Sequence, residues 1–180
     1  MQAIILKIAL FFGGIILYGS IYTIHIITIN GQDKLMQDFQ GKKILIVVIP
    51  VTKTANDSAF LRTIDTVSRN YAQQISVIGV PSIEDGYTSN QLNQLQTYYH
   101  SFFGNRVTVT RGMYTRKESG TSQHELFSWL TRKEKNIHFD YNVSGVGQKF
   151  FVSEQGELYG VSDPEGRLNS RLMDRMIQLH

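Results

Sequence analysis

The chain has 180 residues, 42% of them hydrophobic, with a formal net charge of +3 and a sequence pI of about 9.1. That length suits one domain with a sizeable core. The charges are interspersed, with no basic stripe carrying interleaved aromatics, so nothing supports nucleic-acid binding. The count of cysteines is zero, which excludes disulfides, zinc–thiolate sites and thiol catalysis together.

The chain opens on Ala3–Gly19, apolar except for Lys7. As a helix it would span roughly 26 Å, close to a hydrocarbon core of about 30 Å. Cleavage after Gly19 or Ser20 would put Leu17 or Tyr18 at the −3 position, and neither large residue suits a signal peptidase. Residues 1–19 are therefore expected to be a retained membrane segment rather than a cleaved signal. Residues 20–180 should form a single domain, on the extracytoplasmic side if Lys7 and the amino terminus stay inside.

Ser20–Ile29 is rich in β-branched residues and is expected to be a strand. Asn30–Gly31 signals a tight hairpin turn. Ile44–Ile49 is an unbroken aliphatic run, expected to be a strand buried on both faces at the centre of a sheet. Pro50 should end its pairing. Asn56, Asp57 and Ser58 are cap-type residues for a helix over about 57–73, with Phe60, Ile64, Val67 and Tyr71 on one face. Ile75–Val80 is a second apolar strand. The strand–helix–strand order predicts parallel strands with a right-handed crossover.

Ser89–Phe103 reads as a helix with Leu92, Leu95, Tyr99 and Phe102 inward. Arg106–Thr110 reads as a short strand, and Thr115–Thr121 as a polar loop. Ser122 and Glu125 have the spacing of a capping box for a helix to about Lys133, burying Leu126, Trp129 and Leu130. Residues 149–153 and 157–161 flank Glu154–Gln155–Gly156 as a hairpin. Asn169 should cap a last helix with Leu172, Met176 and Leu179 on its apolar face. A mixed sheet with helices on both faces follows, an α/β thioredoxin-like arrangement with an N-terminal hairpin.

Several stretches, taken in order, resemble the glutathione peroxidase family. Ser20–Ile21–Tyr22 and Asn30–Gly31 are similar to its opening "SIYDF…DIDG", and Leu35–Lys42 to its "LSDYKGK". Ile44–Lys53 resembles the strand leading into "NVASKCG", and Val77–Pro81 is similar to "VLGFPCNQ". Phe103–Gly104 with Val107–Thr108 resembles "YGVTFP", Leu126–Leu130 "LYKFL", and Lys149–Val152 with Gly156 "KFLVDREG". The resemblance covers about 20–179. It implies a thioredoxin-like fold and a peroxidase ancestry tied to the oxidative-stress response. In that family a Cys or selenocysteine, supported by Gln, Trp and Asn, reduces hydroperoxides.

Carried over by position, the peroxidatic Cys falls on Thr54, or on Lys53 if no residue is inserted. The Gln falls on Glu84. The Trp–Asn pair falls on Gly145–Val146 without a gap, or on Tyr141–Asn142 with a four-residue insertion. Glu84 is expected to face Thr54, with a Lys53 ion pair as an alternative partner. On these residues alone Thr54 reads as a capping or loop Thr, Glu84–Asp85 as turn carboxylates, and the five His as ordinary residues without ligand spacing. Neither cofactor nor metal is implied. Two functions follow as expectations: a membrane-attached pseudoenzyme acting by binding or scaffolding a protein partner, or an oxidoreductase of this family working through chemistry other than a thiol.

Overall fold

The computed structural model describes residues 19–178. Apart from Gly19, the expected membrane segment lies outside them. Among the described residues no helix is long and apolar enough to cross a membrane.

The element order is β1 (His25–Ile27), β2 (Asp33–Leu35), β3 (Lys43–Ile49), α1 (Ala55–Asn70), β4 (Ile75–Pro81), α2 (Leu92–Phe103), β5 (Val107–Val109), α3 (Glu125–Thr131), α4 (Lys133–Asn136), β6 (Lys149–Val152), β7 (Leu158–Ser162) and α5 (Ser170–Gln178). Five of these strands form one sheet in the order β5-β4-β3-β6-β7. β3 is parallel to β4 and antiparallel to β6, so the expected parallel pairing of the β-α-β unit holds.

All seven residues of β3 are buried, and strand alternation divides them between two cores. Ile44, Ile46 and Val48 join Ile78, Phe150, Leu126, Phe127 and Trp129 on one face. Leu45, Val47 and Ile49 join Leu61, Ile64, Leu95, Tyr99, Phe151 and Met173 on the other. Thus α1, α2 and α5 cover one face, while α3 and the N-terminal hairpin cover the opposite one. A continuous aliphatic run is what a strand sandwiched in this way requires.

Four local expectations are corrected. Ser20–Ile29 is not one strand: Ile21–Thr23 is a 3-10 turn, and only His25–Ile27 pairs with β2 around Gly31, whose φ of +82° suits glycine. α1 begins at Ala55, capped by Thr54 rather than by Asn56–Ser58. α3 is capped by His124, whose Nδ1 accepts the Leu126 N–H at 3.2 Å, because buried Gln123 is held before it by bonds from its Nε2 to Thr115 O and Thr131 Oγ1. On α5 the buried residue is Met173, flanked by partly buried Met176 and Ile177; Leu172 lies off that centre.

Because β3 and β4 run parallel and β6 runs back, the loops after β3 and β4 and the segment before β6 leave the sheet at one edge. The Gly147 N–H donates to Val48 O at 2.8 Å and the Val48 N–H to Gln148 O at 3.0 Å, so this segment begins beside the end of β3.

Candidate functional site

Thr54 stands at the N-terminus of α1 with extended backbone. Its Oγ1 accepts the Asp57 N–H at 3.1 Å, and one Asp57 oxygen, Oδ2, accepts from Thr54 N–H at 3.1 Å, Thr54 Oγ1 at 2.7 Å and Thr52 Oγ1. This is a reciprocal capping box. Burial pushes the Asp57 carboxyl up, but the Thr52 and Thr54 hydroxyls and the Thr54 N–H outweigh it and hold it below its usual value. The favourable anion position at this helix end is filled by the chain's own carboxylate. The Thr54 hydroxyl therefore neighbours only a weakened base, a poor arrangement for a nucleophile. Lys53 Nζ lies 5.2 Å from the centroid of the Tyr98 ring.

Glu84, in the loop after β4, is turned to the segment after β5. Its Oε1 accepts from Arg116 N–H at 2.9 Å, Thr115 N–H at 2.9 Å and Ser119 Oγ at 2.7 Å. Its Oε2 accepts from Thr115 N–H at 3.0 Å and Ser82 Oγ at 2.9 Å. Consecutive N–H groups wrapped on one carboxylate form an anion nest. Desolvation pushes the carboxyl up, but the donors from Arg116, Ser119 and Thr115 prevail and hold it at about 2. Next to it Asp85 and Arg116 form an ion pair. The expectation that Glu84 faces Thr54, or pairs with Lys53, is thus replaced: both its oxygens serve the 115–119 segment.

The structure does bring Glu84 and Asn142 together. They line one cavity of about 390 Å³ with Arg116, Glu118, Ser119, Val143 and Ser144. Asn142 Oδ1 accepts the Lys117 N–H at 3.0 Å, and its Nδ2 donates to Glu118 at 2.7 Å. Tyr141 is 40% exposed and its hydroxyl donates to Asp163, so it is not part of this cavity's lining. Gly145 is buried and Val146 half-buried in the turn that leads into β6. Among the described residues no group of three or more His, Asp or Glu is placed to hold a metal.

A larger cavity, of about 820 Å³, lies between the hairpin turn, the second half of α2 and the edge strand β5. Some of its residues, such as Asn30, Phe103, Gly104 and Val107, serve in the sequence as turn, helix and strand signals, but none of those patterns indicates a cavity. The available signal was indirect: Asn30–Gly31 turns the chain away just where it would otherwise continue along a strand edge.

This fold belongs to the thioredoxin-like class. Two solved structures, of Trgpx in apo form and of T. cruzi GPX1, superpose with a TM-score of 0.63 each, at 15% and 14% identity. They cover 88% and 89% of this chain and 94% and 95% of theirs. No family model matches the chain. In sequence it is 27% identical over 150 residues to the glutathione peroxidase homolog BsaA of Bacillus subtilis (strain 168), spanning 81% of this chain and 89% of that protein. Within that class the chain resembles the glutathione peroxidases in sequence and fold, and it contains no cysteine.

Proposed function

We propose that this protein has left thiol peroxidase chemistry and acts by binding, as a scaffold or ligand-sensing domain held at a membrane by its N-terminal apolar segment. One observation carries the reading: Thr54, where the resemblance puts the peroxidatic residue (Lys53 if no residue is inserted), has its hydroxyl engaged in both directions by Asp57. A hydroxyl there cannot take the peroxide oxygen to form a sulfenic acid, and with zero cysteines in the chain no resolving thiol exists elsewhere. Glu84, where the resemblance puts the family's Gln, supports the same reading, since its carboxylate is used to hold a loop. Ala3–Gly19 supports the membrane attachment through its apolar length, and Lys7 supports an extracytoplasmic domain.

The test is peroxide consumption by the purified full chain with glutathione or thioredoxin as reductant. No saturable, protein-dependent turnover is expected; turnover would overturn the reading and return the chain to the oxidoreductases. Fractionation with N-terminal sequencing tests the attachment, and a soluble product beginning near Ser20 would contradict it.

A further inference from the structure

Strand β5 is the outer strand of the sheet, and its phase is set by two observations. It pairs with β4 in parallel through Val77–Val107, Ile78–Thr108 and Gly79–Val109. The Thr110 N–H donates to Gly79 O at 3.0 Å. In a parallel ladder that turns the backbone groups of Thr108 toward β4 and those of Val107 and Val109 away from it. The outward side is half used by the chain itself. Ile29 N–H donates to Val109 O at 2.8 Å, Arg111 N–H donates to Ile27 O at 2.9 Å, and Thr28 bridges Thr110 in antiparallel fashion. At Asn30–Gly31 the chain then turns away. Among the described residues no backbone hydrogen bond reaches Val107 from that side, and Val107 lines the 820 Å³ cavity.

The edge is short and its valine side chains are buried, but Val107–Thr108–Val109 carries no charge, proline or bulge to block backbone pairing. One wall is held in place, since Gln96 Nε2 on α2 donates to Asn30 Oδ1 of the turn at 2.8 Å. The lining includes Lys34 and His100 and contains no Asp or Glu. A short added strand of three residues would run about 10 Å.

We propose that this cavity takes an extended acidic segment of a partner protein as an added strand along β5, with backbone pairing at Val107 and its carboxylates drawn to Lys34. The proposal deepens the binding reading and rests on it. Backbone pairing supplies affinity in such complexes, while side-chain and charge matching supply selectivity.

The test uses the full chain in detergent micelles and a fluorescein-labelled hexapeptide, Thr-Glu-Val-Glu-Val-Thr, read by anisotropy. A saturable rise is expected. It should weaken when Lys replaces both Glu, and vanish when alternate peptide nitrogens are methylated. Val107→Pro removes an outward N–H without touching the β4 ladder. It should weaken binding by about fivefold to tenfold, the worth of one hydrogen bond. Lys34→Gln, which leaves the strand intact, should reduce the preference for the acidic peptide over an all-neutral one. Equal binding of acidic and basic peptides, no binding, or binding indifferent to N-methylation would overturn the proposal. So would a concentration-dependent dimer abolished by Val107→Pro, which would give the edge to a second copy of the chain. Peroxide turnover would instead overturn the binding reading itself, whatever the peptide does.

Discussion

Glu84→Gln replaces the nested carboxylate with an amide, and it should destabilise this protein. The carboxylate accepts from two successive backbone N–H groups and from three hydroxyls, those of Ser82, Thr115 and Ser119. An amide keeps one acceptor oxygen and sets an NH₂ against donors on the other side, leaving at least one of them unsatisfied. A carboxyl held at about 2 against an ordinary 4.5 has a ceiling of about 3 kcal/mol at neutral pH, at about 1.4 kcal/mol per pH unit. The site is open enough for solvent screening to reduce this, and a loss of about 1–2 kcal/mol is expected. The sign follows from the lowered folded-state value. The contribution is complete above about pH 4.5 and is lost as pH falls toward 2, so the gap between wild type and Glu84→Gln should close across that window. Urea unfolding of both proteins in parallel, from pH 7 to pH 2.5, reads the gap with the other carboxylates cancelled. Equal stability at pH 7, or a gap that does not shrink in acid, would refute the nest as a stabilising element.

The capping box makes a second prediction: the thiol introduced by Thr54→Cys should have its pKa lowered by about one unit when Asp57→Asn removes the adjacent like charge, and should be indifferent to Glu84→Gln, as read from the pH profile of alkylation. Lys149 is buried, with its ammonium donating to Asp163 O at 2.9 Å and Pro164 O at 3.2 Å; burial pushes it down to about 8 despite the Asp163 carboxylate. The unfolded chain therefore binds more protons above pH 8, so stability should rise from pH 8 to about 10, and Lys149→Met should flatten that rise in parallel chemical unfolding. Trp129, the chain's single tryptophan, donates its indole N–H to Gly19 O at 2.8 Å. A truncation starting at Ile21 should shift its fluorescence to the red and cost about 1 kcal/mol, while one starting at Gly19 should leave both unchanged.

Where one local rule had no competitor, the sequence by itself determined the outcome. The Ile44–Ile49 run could be satisfied only by burial on both faces, the spacing of Ile75–Val80 after a helix required a parallel partner, and Asn30–Gly31 specified the hairpin turn. Other features depended on contacts that local pattern does not encode. Thr54, Asn56, Asp57 and Ser58 are all cap-type residues, and the Thr54–Asp57 pair prevailed because two reciprocal bonds satisfy more orphan donors than one. Leu172, Met173, Met176 and Ile177 make a broad apolar arc, and docking against the sheet selected Met173 as its centre. Glu84 could have turned toward α1 or toward β5. The consecutive N–H groups of Thr115 and Arg116, brought across by the sheet, decided it. The cavity beside β5 exists only because a turn, a helix and a strand edge far apart in the chain meet there, so no spacing along the sequence could have announced it.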